Sequence, residues 1–173
     1  IKAGSISSAI AGGMESMTNS PYFIPKARGG MRMGHAEIKD HMMADGLEDA
    51  YDNKAMGCFA QATADDYGIT REEMDEFALS SLSKANEAIA NGSFNNEVVP
   101  HVLKTRKGDV EVAIDEQPGN ARPDKIPGLR PAFKKDGTIT AANSSSISDG
   151  AAALILMSES EAKKQGLTPL CKV

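Results

Sequence analysis

Residues 151–157, Ala-Ala-Ala-Leu-Ile-Leu-Met, are apolar without interruption, and no other stretch limits the fold as tightly. A run of this kind offers no polar side to water. It suits a strand buried on both faces of an α/β core rather than an amphipathic surface element. Immediately upstream the chemistry reverses: Asn143 to Asp149 crowds hydroxyls, an amide and a carboxylate together. Side chains this short bond local backbone, and Asp149-Gly150 is a turn signal. A loop of small hydroxyl-bearing residues feeding a central strand has two readings. It is an ordinary Ser/Asn turn, or a place where amide-like groups of a ligand approach the main chain.

The same logic runs along the chain. Ile1 to Ala3 reads as the last turn of a helix stopped by Gly4. Ser5 to Gly13 reads as a short buried strand ending on two glycines, where backbone packs on backbone, with a turn following. Residues 17–34 have no clean period, and Arg28-Gly-Gly-Met-Arg-Met-Gly34 is an extended excursion, long enough to call for a functional reason such as a subunit contact. Ala36 to Ala50 carries a weak helical pattern interrupted by Gly46. Met56 to Tyr67 is a helix ended by Gly68. Thr70 and Glu73 form a capping box opening a longer helix, whose apolar stripe is Met74, Phe77, Ala78, Leu82, Ala85, Ala88 and Ile89 and whose stop is Gly92. Glu97 to Leu103 and Val110 to Ile114 form a hairpin around Lys104 to Asp109. Residues 115–131 contain four prolines and read as irregular; Ser158 with Glu161 caps a short helix ending at Gly166, and Leu167 to Val173 begins a strand or linker.

The fold class expected is α/β: a layered core interrupted by a mixed α+β segment, with the chain re-entering its sheet at Ala151. The divisions expected are 1–16 for the end of the first core, 17–147 for the interrupting domain and 148–173 for the return.

Charge and cysteines narrow the function. A net charge of −5 and a pI near 5.2 argue against a nucleic-acid backbone as partner. No apolar run approaches the ~18 residues that cross a bilayer, so no membrane partner is expected. Cys58 and Cys171 lie too far apart to suggest a disulfide framework, which makes a reducing, cytoplasmic compartment the default. His35, His41 and His101 have no ligand spacing with the cysteines, so no metal is expected. The chain opens Ile-Lys-Ala-Gly, without initiator methionine or leader, as a piece of a longer polypeptide would.

Several stretches, in unbroken order over essentially the whole chain, resemble the thiolase family, its acetyl-CoA acetyltransferases in particular. They are Ala11-Gly-Gly-Met-Glu-Ser-Met17, the Arg28 to Gly34 excursion, Met56-Gly57 with its helix, and Thr70-Arg-Glu-Glu-Met-Asp-Glu-Phe-Ala78. Leu129-Arg-Pro-Ala-Phe133, Gly137-Thr-Ile-Thr-Ala-Ala-Asn143, Ser145 and Asp149-Gly-Ala-Ala-Ala153 are the most specific. The resemblance implies a thiolase-like fold in which residues 17–147 form the loop domain. It implies a Claisen exchange that condenses two acetyl-CoA to acetoacetyl-CoA, or the reverse. That chemistry needs an activated thiolate and preorganised donors for a thioester oxyanion.

By the same resemblance, the reacting cysteines, histidine and asparagine fall outside residues 1–173, so no catalytic residue is expected here and the chain alone is expected to be inactive. Neither Cys58 nor Cys171 aligns with a catalytic cysteine; Cys58 reads as a small buried apolar residue. What the resemblance assigns to this stretch is recognition of coenzyme A, as substrate and not as a bound cofactor. Ser145 would meet a pantetheine amide, with Ala141 and Ile147 lining the same turn, and Phe133 and Met56 would form apolar wall. Arg122 and Lys125 sit on the basic proline-rich loop, where nucleotide phosphates would lie; a solvated loop charge is the plainer reading. The Arg28 to Gly34 loop would build a tetramer. Two alternatives stand: a non-catalytic module for coenzyme A binding or oligomerisation, and a longer-chain 3-ketoacyl-CoA thiolase. Ala55 leaves acyl-chain preference open.

Overall fold

A computed structural model describes residues 1–173, which fold as two compact units: residues 1–42 with 147–173, and residues 43–146. In the first, β1 (Ser8–Glu15) and β6 (Gly150–Met157) pair antiparallel, from Ser8 opposite Met157 to Glu15 opposite Gly150. Strand β1 does not end on its glycines but runs through them. Gly12 lies opposite Ala153, and a side chain at Gly12 would run into the Ala152 carbonyl. Here glycine permits a close strand approach instead of stopping the strand.

The apolar run does form a strand, but not one buried on both faces. The sheet has two strands and no layer upon it, so the cross-strand pair Ile10 and Ile155 is 79% and 71% exposed. Ile1 to Gly4 is a turn, not the end of a helix, closed by a Gly4 N–H donating to the Ile1 carbonyl. The weak helical pattern from Ala36 breaks up as well. Lys39–Asp40 (β3) pairs with Tyr22–Phe23 (β2), and a single π-helical turn at Met43–Leu47 follows in the second unit. Between β2 and β3 the Arg28–Gly34 excursion stays exposed, with Gly30 and Gly34 at positive φ. A short helix, α4 (Glu159–Lys164), begins at Ser158, whose hydroxyl accepts from the Glu161 N–H.

Asp149, just ahead of β6, clasps the chain that leaves β1 at the same end of the ribbon rather than making a turn. Its carboxylate accepts from the Thr18 N–H at 2.9 Å and the Ser16 hydroxyl at 3.2 Å. The Thr18 N–H is the main cause of a carboxyl pKa held below its ordinary value. A folded-state pKa below the unfolded one gives stability present above the unfolded value, about 4, and lost as pH falls through the folded one. Denaturation midpoints are therefore expected to drop on acidification below about pH 4, and Asp149→Asn to remove part of that slope. An unchanged slope in the variant contradicts the clasp.

The second unit is mainly helical. Helix α1 (Met56–Tyr67) ends at Gly68, with φ 65°, and α2 (Arg71–Ala90) opens on a complete capping box. The Thr70 hydroxyl accepts from the Glu73 N–H, and the Glu73 carboxylate from the Thr70 N–H. Most of the expected α2 stripe is half-buried, but Phe77 is 78% exposed and the buried residue of the helix is Asp75. Strands β4 (His101–Thr105) and β5 (Gly108–Val112) form the hairpin, its turn tightened to Arg106-Lys107. Residues 115–131 are more regular than their prolines suggest. They form α3 (Glu116–Asn120), capped by the Asp115 carboxylate, and a 3₁₀ segment at Pro123–Gly128. Proline is tolerated in a first turn because the amide it lacks is unpaired there anyway.

Candidate functional site

The loop from Leu129 to Ser145 has little regular structure, and two side-chain networks give it its shape. The first centres on Gln61 of α1, 3% exposed. Its amide oxygen accepts from the backbone N–H of Thr138 at 2.8 Å and of Ile139 at 3.2 Å. Its nitrogen donates to the Thr138 hydroxyl and to Asp65 one turn along the helix. Lys134 reaches the other oxygen of Asp65 at 2.6 Å and is the main cause of that carboxyl's lowered pKa. Glutamine serves here because one side chain can accept two backbone bonds and still donate.

The second network starts from α2. Asp75, 7% exposed, pairs with Arg71 at 2.6 Å. The same guanidinium donates to the carbonyls of Ile126 at 2.8 Å and Leu129 at 3.1 Å. On its other side Asp75 accepts from the Asn143 amide at 3.3 Å. Asn143 closes its own loop, accepting from the Thr140 N–H at 2.7 Å and donating to the Thr138 carbonyl at 3.0 Å. The Ser144 hydroxyl adds a bond to the Thr140 carbonyl. Thr140 is fully buried inside this knot.

Two residues past Asn143, Ser145 lies on the rim of an open groove of about 700 Å³ between this loop and α2. Ile69, Met74, Phe77 and Ala78 give the groove an apolar wall, with the Glu73 carboxylate beside them; Asn143 and Ser144 are bonded within the loop, which leaves the Ser145 hydroxyl as the loop's polar group. The arrangement can bury an apolar chain along the helix and satisfy polar groups from the loop.

The other candidates are spread out. Ala141 is exposed within the turn that Thr140 and Asn143 close. The Phe133 ring rests directly on Gly57, beside Met56, filling the space a side chain at 57 would need. Arg122 and Lys125 are exposed on the 3₁₀ segment, with the Lys125 N–H bonded to the Arg122 carbonyl. Ile147 is exposed where the chain returns to the first unit. Cys58 is half-buried on α1 and Cys171 exposed, both as free thiols. Sequence reasoning missed Gln61, Arg71 and Asp75. No local signal marked them, since Arg71 and Asp75 sit among other charged residues of the same helix.

Comparison with known proteins gives one consistent answer. Residues 1–160 match the model of the thiolase N-terminal domain. Acetyl-CoA acetyltransferases of Yarrowia lipolytica and Cupriavidus necator are 45% and 47% identical over all of this chain, and the chain spans 43% and 44% of their lengths. Among solved structures, the acetyl-CoA acetyltransferase of Syntrophomonas wolfei superposes with a TM-score of 0.87 at 43% identity, over 97% of this chain and 42% of that one. An Ascaris suum thiolase solved in complex with coenzyme A gives 0.85 at 40% identity, over the same shares. The fold is thiolase-like α/β, and the chain belongs to the thiolase family.

Proposed function

We propose that residues 1–173 carry part of the coenzyme A pocket of an acetyl-CoA acetyltransferase, which condenses two acetyl-CoA to acetoacetyl-CoA or runs the reverse. The groups that make and break bonds lie elsewhere in the parent enzyme. The observation that carries this reading is Ser145, exposed on the rim of a groove whose wall is apolar and whose loop is fixed by buried side chains. Pantetheine has the matching chemistry, a flexible apolar chain with two amides. Ser145 would meet one amide, with Ala141 and Ile147 lining the turn; Phe133 and Met56 would form apolar wall, and Arg122 and Lys125 would face phosphate. That proteins so similar to this one are named acetyl-CoA acetyltransferase supports the reading, as does the coenzyme A complex of the Ascaris thiolase. Neither Cys58 nor Cys171 lines this groove.

Two measurements test this. The purified chain, given acetoacetyl-CoA and coenzyme A, is expected to show no thiolysis above blank; turnover would refute the division of labour. In the full gene product, Ser145→Ala is expected to weaken coenzyme A binding about fivefold, the worth of one hydrogen bond. Unchanged affinity removes Ser145 from the pocket.

Assembly is the second reading. Met31 and Met33 are exposed on the Arg28–Gly34 excursion, and Met-rich surfaces adapt readily to a partner. A homo-oligomer, tetrameric in the parent, would use this loop, and gel filtration without residues 25–36 is the check. The free thiols favour a reducing compartment, the cytoplasm. No helix is long and apolar enough to cross a membrane.

A further inference from the structure

The Arg71–Asp75 pair reaches both loops to which a coenzyme A role falls, and it touches each through a different atom. Asp75 holds Asn143, and with it the loop that presents Ser145. Arg71 holds the carbonyls of Ile126 and Leu129, at the end of the segment that presents Arg122 and Lys125. The pair is largely buried and joined at 2.6 Å, so the two loops are referenced to one rigid object on one turn of α2.

We infer that Arg71 and Asp75 are positioning residues, Arg71 holding the phosphate-facing segment and Asp75, through Asn143, the pantetheine-facing loop, each against α2 on its own. This rests on the reading of the site given above. The physical reason is preorganisation. A cation on a loop already held in place adds affinity without the entropy cost of ordering that loop when ligand arrives. Arginine is required because its planar fork serves a carboxylate and two carbonyls at once; a lysine ammonium can keep the ion pair but cannot match that geometry.

The test is the ratio of affinities for coenzyme A and for pantetheine, which lacks the nucleotide, measured by calorimetry on the full gene product. Arg71→Lys is expected to weaken coenzyme A about tenfold, a loss on the order of one hydrogen bond to a charged donor, and to leave pantetheine within about twofold. Asn143→Ala loosens only the Ser145 side, so both ligands are expected to weaken together and the ratio to hold. General loss of folding lowers both affinities in both variants without moving the ratio in one alone. The inference is overturned if Arg71→Lys leaves the ratio unchanged, or if Asn143→Ala shifts it as much. Should Arg71→Lys not fold, Lys125→Ala in wild-type and Asn143→Ala backgrounds decides: equal losses of coenzyme A affinity in the two support separate referencing of the loops, unequal losses refute it. If the wild-type protein binds neither ligand, the coenzyme A reading itself fails, and the inference with it.

Discussion

Gln61→Leu is expected to destabilise the second unit by about 2–6 kcal/mol, because it leaves two backbone N–H groups without an acceptor at about 1–3 kcal/mol each. Leucine nearly matches glutamine in volume, so packing changes little and the loss reports polar satisfaction. The groups at risk are the N–H of Thr138 and of Ile139, the latter residue buried, and neither has another partner nearby. Lys134 would still hold Asp65. Urea denaturation gives the difference directly, since a midpoint shift at constant slope reads stability alone. Gln61→Glu separates the two halves of the glutamine's job. Its carboxylate can accept both N–H bonds but cannot donate to Asp65 or to the Thr138 hydroxyl, and it brings a like charge beside Asp65. Burial and that neighbour raise the new carboxyl's pKa, so the penalty is present above the raised value and fades as pH falls and the group becomes a donor. A leucine variant within about 0.5 kcal/mol of wild type, the usual range for a surface substitution, would show that Gln61 does not hold the loop.

What the sequence revealed, and what it hid, divides by the range of the forces. Helix α1 and the start of α2 were readable residue by residue, because Gly68 and the Thr70–Glu73 box act within one turn of the chain. The hairpin was readable for the same reason. Phe77 illustrates the first failure. Periodicity tells which side of a helix is apolar, not whether anything covers that side, and here Phe77 faces a groove. Gln61 and Asp75 illustrate the second. Nothing local distinguishes a glutamine or aspartate at a helix surface from one that is buried; beyond a partner one turn away, the bonds that bury them come from residues 138–143, far along the chain. For Ser145, family likeness supplied the role and the residues themselves supplied only a hydroxyl-rich turn. Arg71 lies inside a motif that carries that likeness, yet two of its three bonds form only when the Ile126 and Leu129 carbonyls are in place.

Gly12 and Gly13 sit side by side in β1, and valine is expected to act oppositely at the two. By strand propensity alone, valine improves either position, since glycine weakens a strand and a β-branched residue suits one. Geometry separates them. At Gly12 a side chain would strike the Ala152 carbonyl and lie 3.1 Å from the Ala153 Cα, both backbone atoms of the partner strand, which cannot swing aside. At Gly13 nothing lies within 4 Å. The ribbon has two strands and no covering layer, so forcing them apart has no other packing to resist it. Overpacking against fixed atoms costs roughly 1–3 kcal/mol. Gly12→Val should therefore raise amide hydrogen exchange across residues 8–15 and 150–157 by about 10- to 100-fold, while leaving α1 and α2 protected as before. Gly13→Val should slow exchange there or leave it unchanged. The pairing of Gly12 with Ala153 is wrong if the two valines behave alike. If Gly12→Val instead lowers protection in the helices as strongly as in the ribbon, the cost does not belong to the strand pair at all.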